Sequence, residues 1–228
     1  MFTPAEMEAL LLSIKVALWA TVVSLPIAIA AAYGMARNQF PGKMIVEALI
    51  HIPLVVPPVV VGYLLLVTLA PSTSFGAWLQ TIGLNPAFKW QGAAIASGLM
   101  ALPLMIRSMR LSFEAEPHVY REVAATLGAS AFKRFWRISL PLALPGILSG
   151  TALGFARAIG EFGATITFAA NIPGVTQTLP LALYSAAQTP GGELVAARLA
   201  LLCLFPAVFS LIASEWLARK ARNRRGFG

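Results

Sequence analysis

Residues 10–36 read LLLSIKVALWATVVSLPIAIAAAYGMA, and only one of these side chains, Lys15, is charged. As an α-helix rising about 1.5 Å per residue, the stretch would extend about 40 Å, more than the roughly 30 Å of a bilayer's hydrocarbon core. No water is available there to bond a free backbone N–H or C=O, so such a segment must close its hydrogen bonds on itself as a helix. Glu6 and Glu8 precede it and no base comes before Lys15, so the charged start of a cleaved leader is missing. The stretch is also too long for a leader. It is expected to remain as a membrane helix with its N-terminus outside.

Working outward, apolar blocks recur at 44–70, 91–111, 138–168 and 194–218. Over the whole chain 58% of residues are hydrophobic and 11% charged, with a mean hydropathy of +0.76. A soluble domain carries about 25% charged residues. Too few polar groups remain here to cover a water-facing surface, which excludes a soluble protein with an unusually apolar core. The 44–70 block holds Pro53, Pro57 and Pro58. Neighbouring helices can satisfy the carbonyls these prolines free, so a kinked or partly broken span is expected, with two short spans as the alternative, although 44–56 alone is too short to cross. Residues 71–90 then form an outer loop, with Phe75, Trp78 and Leu79 in the interface as an amphipathic turn.

A net charge of +8 invites a nucleic-acid reading, but the positions exclude it. Thirteen of the seventeen bases fall in three groups: Arg37 and Lys43; Arg107, Arg110, Arg121, Lys133, Arg134 and Arg137; and Arg219, Lys220, Arg222, Arg224 and Arg225. Segments 71–91 and 167–193 contain only Lys89. Basic loops alternating with neutral ones follow the positive-inside rule. About five transmembrane helices, N-terminus periplasmic and C-terminus cytoplasmic, satisfy every cluster. Residues 1–228 read as a single all-α polytopic domain without internal repeats.

Such a domain has little chemistry of its own. The sequence has no aspartate, and its one Gly-Lys pair, Gly42-Lys43, has Arg37 where a phosphate-binding loop needs its first glycine. An acidic Mg²⁺ ligand, usually aspartate, is missing as well. The single Cys203 has no disulfide or metal partner, and His51 and His118 are the only histidines. No catalytic residue, cofactor or metal site is expected.

The longest inside segment, 114–137, is patterned. Pro117 suits a first helical turn, Val119, Val123 and Leu127 recur four apart, and Gly128 ends the helix. Ser130 is placed to cap a second short helix carrying Phe132, Phe135 and Trp136 before Pro141. By pattern alone this is a helix–glycine–helix elbow or an ordinary amphipathic connector. Glu122-Val123-Ala124-Ala125-Thr126-Leu127-Gly128, followed after nine residues by Ile138-Ser139-Leu140-Pro141, resembles the "EAA" loop of binding-protein-dependent ABC importer permeases. The resemblance implies a type I importer permease fold in the inner membrane. It also implies that Glu122, Ala124, Ala125 and Gly128 form the coupling elbow that docks on a cytoplasmic ATPase dimer.

The run GEFGATITF at 160–168 and the Asn171-Ile172-Pro173-Gly174 stretch with Thr176, Thr178 and Pro180 are similar to the molybdate and tungstate permeases of that family. QTPGGE at 188–193, FPGK at 40–43 and HIPLVVPPVVVGYLLL at 51–66 extend the likeness over essentially the whole chain. It implies a homodimer in the lipid bilayer served by a periplasmic molybdate-binding protein. Sulfate and thiosulfate permeases share the Gly-Glu-Phe-Gly core and are the alternative cargo class.

Arg157 and Glu161 stand four apart, on one helix face. Their simplest role is a structural ion pair, and a gate or subunit interface is the alternative. Glu161 as a direct ligand for a dianion is opposed by like charge. Thr165 and Thr167 offer neutral donors along a path or gate. A carrier driven by protons or sodium would show inverted repeats and matched intramembrane acids, which a single pair and a lone elbow fit poorly. The polar Gly-Glu-Phe-Gly segment argues against a plain membrane anchor.

Overall fold

The computed structural model describes residues 3–223, and among them every regular element is helical. Arg224 and Arg225 of the basic tail, with the side chains of Lys220 and Arg222, lie outside the described residues.

Helix α1, Pro4–Arg37, starts earlier than the apolar block because Thr3 and Glu6 form a capping box. Thr3 Oγ1 accepts from Glu6 N–H at 3.3 Å, and Glu6 Oε2 accepts from Thr3 N–H at 2.7 Å. Two short helices follow, α2 (Lys43–Val55) and α3 (Pro58–Leu69), then α4 (Ser74–Thr81) and the long α5 (Trp90–Glu114). On α4, Phe75 and Trp78 stack and are exposed.

Helices α1 and α5 run side by side in the same direction. Val16 packs with Ala93 and Ala94 near one end, and Ala28 and Ala32 with Met105 and Met109 near the other. The chain must therefore recross between them, and only α2 and α3 are available to do so. They meet at 109°, so residues 44–70 form one broken span. Pro58 has no N–H, and its ring pushes the preceding residue out of the helical region.

The expected fourth span, 138–168, is corrected at both ends. Helix α7 (Ala131–Arg134), a π turn (Phe135–Ser139) and α8 (Leu140–Ile159) run on as a single 29-residue span. The separate second elbow helix expected before Pro141 is thus the first turn of the span. In the π turn, Leu140 N–H bonds Phe135 C=O five residues back. That wide turn gives room just ahead of Pro141, whose ring would otherwise press on the carbonyl of Arg137. At the far end α8 stops at Gly160, and the chain resumes as α9 (Gly163–Phe168). Helix α10 (Leu179–Ala187) and α11 (Glu193–Asn223) complete the fold.

Helix α8 runs opposite to α5, and α11 opposite to α8: Ser210 Oγ donates to Ala152 C=O at 3.1 Å, while Arg198 pairs with Glu6. Counting the broken span once, the described residues make five crossings and their two ends lie on opposite faces. Helix contacts in lipid rest on close packing of small residues, because the bilayer removes the hydrophobic drive. The α5–α8 seam shows this. A Cβ on Gly146 would lie 2.0 Å from Ser112 Oγ and 3.0 Å from Ser108 C=O, and Gly150 and Gly154 press on Met105 and Met109.

Gly146→Leu is expected to destabilise the protein by about 1–3 kcal/mol through overpacking, seen as a lower melting temperature in detergent. Gly34→Leu, where a Cβ meets nothing within 4 Å, should lower it far less.

Candidate functional site: the elbow and the helix break

Helix α6, His118–Thr126, begins after Pro117 and ends in a Schellman motif. Ala129 N–H bonds Ala124 C=O at 2.9 Å, and Gly128 N–H bonds Ala125 C=O at 3.0 Å. The motif requires a left-handed residue, and Gly128 sits at φ +78°. Ala124 and Ala125 thus supply the carbonyls that close the turn, and their small side chains leave its surface flat. Glu122, Ala125 and Gly128 are exposed and Ala124 is half-buried. Ser130 Oγ accepts from Lys133 N–H at 3.3 Å and caps the next helix, as expected.

The stripe on α6 does not fold inward. Val119, Tyr120 and Val123 are exposed, Leu127 is 81% exposed and Phe132 71%, with Trp136 beside it. Phe135 alone turns in, packing edge-on to Tyr33 with ring centroids 4.8 Å apart. Val119, Tyr120, Val123 and Leu127 thus leave an exposed apolar face on α6, continued by Phe132 and Trp136 at the start of the next span.

One buried carboxylate holds this elbow to the bundle. Glu116, 4% exposed, ion-pairs with Arg37 at the end of α1 and accepts from Ser139 Oγ of the π turn at 3.1 Å. Arg121 Nε of α6 lies 3.7 Å from Glu116 Oε1, the oxygen that takes the Ser139 hydroxyl. Sequence reasoning placed Arg37 in a basic turn and passed over Glu116. The available signal was a lone acid directly before the helix-starting proline of a basic segment; its partner, 79 positions away, left none.

The second predicted group lies deep in the bundle. Ala158 and Ile159 pack on Ala17 and Ala20, midway along α1, and Ala164 packs with Ala96 and Met100. Glu161 therefore sits at the break between α8 and α9, well inside the spans. Its Oε1 accepts from Ala164 N–H at 2.9 Å, capping α9, and its Oε2 lies 2.5 Å from Arg157 Nη1. Arg157 is about a quarter exposed, Glu161 almost fully buried. Thr165 is buried, and its hydroxyl has no hydrogen-bond partner among the described residues. Thr167 is half-buried and donates to Gly163 C=O at 2.9 Å. The four residues thus share one region, but only Arg157 and Glu161 contact each other. This break touches the other one: a Cβ on Gly163 would lie 2.8 Å from Pro58 Cβ and 3.2 Å from Val59 N.

Five crossings, two adjacent helix breaks and an exposed elbow on one face define a type I ABC importer permease. The same fold occurs in a bacterial ABC transporter involved in import of the acidic polysaccharide alginate, with a TM-score of 0.75 at 16% identity over 96% of this chain and 80% of that one. Residues 24–223 match the family described as binding-protein-dependent transport system inner membrane component, and the chain belongs to that family as a multi-pass inner-membrane protein. It is 49% identical over 225 residues, 98% of each chain, to the molybdenum transport system permease protein ModB of Escherichia coli K12. The sulfate transport system permease protein CysW of Synechococcus elongatus is 35% identical over 74% of this chain and 60% of its own.

Removing either partner of the Arg37–Glu116 pair leaves an uncompensated buried charge, a loss of about 3–5 kcal/mol. Arg37→Ala and Glu116→Ala should each lower stability by that order in detergent unfolding, and the double variant by clearly less than their sum.

Proposed function

We propose that this chain is the permease of an ATP-driven molybdate importer, acting as a homodimer with two copies of a separate cytoplasmic ATPase and a periplasmic binding protein. The exposed apolar elbow carries the reading: a chain without a phosphate-binding loop needs its energy delivered by contact, and α6 offers the contact surface. Residues 1–228 act as one domain, with 114–137 as the coupling loop. Glu122, Ala124, Ala125 and Gly128 form the docking elbow, and the basic clusters set the N-terminus outside and the C-terminus inside. Closure of the ATPase pair draws the two elbows together. Because Arg37, Glu116, Arg121 and Ser139 join elbow to spans, that motion reaches α1, α5 and α8. It switches the path from inward-open to outward-open, provided the ATPase contacts the two states differently.

Molybdate is favoured by the near full-length likeness to a permease named for molybdenum transport, against a shorter and weaker one to a permease named for sulfate. Arg157, Glu161, Thr165 and Thr167 belong to the path or its gate in unequal ways. Glu161 holds the break closed and repels a dianion, so it positions rather than binds. Arg157 is the group an anion can meet. The two threonines reach a passing anion only when the break shifts. Weak contacts of this kind suit a path its cargo must leave.

Gly128→Val is expected to abolish uptake while the protein still inserts and dimerises, since a β-branched residue at φ +78° is strained by about 1–3 kcal/mol at the elbow alone. Normal uptake in that variant refutes the coupling role. For cargo, excess tungstate should compete with molybdate uptake by the assembled complex and sulfate should not; the reverse order would transfer the assignment to sulfate.

A further inference from the structure

Helix α2 buries no side chain completely, yet it carries Glu47 and His51 one turn apart on the side facing α5. Helix α5 answers with Arg107, Arg110 and Glu114 at helical spacing. Glu47 of α2 pairs with Arg110 of α5, and His51 lines the same cavity as Arg107. Between these polar faces lies a cavity of about 230 Å³, closed on one side by Met35.

Its charges are unevenly used. Arg110 lies 2.9 Å from Glu47 and 2.6 Å from Glu114, so one guanidinium holds both carboxylates. Arg107, one turn deeper, has no ion pair among the described residues and is exposed. His51 Nδ1 lies 2.7 Å from Glu47 C=O. A carbonyl only accepts, so Nδ1 carries the proton and Nε2 is the free ring nitrogen, a donor whenever the ring is protonated. His51 and Arg107 line the cavity together with Glu47, Arg110 and Glu114, and Glu114 lies two turns beyond Arg107 toward the end of α5. An ionisable group at membrane depth normally has a partner or faces a water-filled path.

We propose that Arg107, assisted by His51, forms a transit site for a tetrahedral oxyanion dianion at the cytoplasmic end of the path. This rests on the importer reading above. The guanidinium fork matches two oxygens of such an anion. The cavity has room for the anion with several waters, each about 30 Å³ in the liquid. The Glu47–Arg110–Glu114 group keeps one net negative charge, so it does not trap the anion, and binding is weak and release rapid.

Leu111 lines the same cavity and is exposed, so Leu111→Cys in a Cys203→Ser background reports occupancy. The assembled complex in vesicles is labelled with a charged thiol reagent from the ATPase side, in molybdate, tungstate or chloride at equal ionic strength. Protection follows one plus the ratio of anion concentration to Kd, so about fivefold slower labelling is expected at four times Kd with either oxyanion. Chloride should give none, and Arg107→Gln should remove the effect. No protection, equal protection by chloride, or protection surviving Arg107→Gln overturns the site. Uptake is measured in the same vesicles: molybdate uptake without protection sinks only this site, whereas failure of uptake in the parent complex sinks the importer reading. If Leu111→Cys does not assemble, Arg107→Gln in the otherwise native chain replaces it. Its kcat for uptake should fall several-fold with KM unchanged and be only partly restored in Arg107→Lys, which keeps the charge without the fork; an unchanged kcat overturns the proposal.

Discussion

A carboxylate sealed from water at the end of a helix bundle has to be paired, because an unpaired charge there costs several kcal/mol. Glu116 meets that demand with Arg37, Arg121 and Ser139, which come from three separate segments. The requirement therefore ties the last turn of α1, the start of α6 and the π turn ahead of α8 to a single point. What would otherwise be a loose connector becomes a rigid extension of the spans. The apolar face of α6 stays exposed rather than collapsing onto the bundle.

The two helix breaks are the complementary feature. Interrupting a helix inside a membrane frees backbone groups that lipid cannot satisfy. Here the interruption at Glu161 is closed by its own carboxylate, which takes Ala164 N–H and pairs with Arg157. Gly163 lets the other interruption, at Pro57 and Pro58, approach to contact distance. The two breaks thus meet in one region at mid-depth, while α5 and α8 pack closely along a glycine seam.

Much of this was legible in the residues. The apolar blocks predicted the spans, the basic clusters their alternation, the three prolines the break near residue 57, and Gly128 and Ser130 the turn and cap of the elbow. Arg157 and Glu161 were paired by helical spacing alone. The errors have local causes. A run from Ile138 to Phe168 reads as one apolar span because Gly160 and Glu161 are tolerated in helices, and only the competing cap at Ala164 decides for a break. Pro141 reads as a helix end, yet the π turn absorbs it. The start of α1 was set too late because a capping box extends a helix beyond its apolar stretch.

Composition and pattern determined by themselves that this chain crosses a bilayer as helices and presents one elbow on its basic side, since hydropathy, proline and glycine act over a few residues at a time. Only the tertiary structure decided which charges are partners: Arg37 with Glu116, Glu6 with Arg198, Glu47 with Arg110. Those pairs join residues far apart in the chain, and their strength depends on burial and distance, quantities that exist only once the helices have packed.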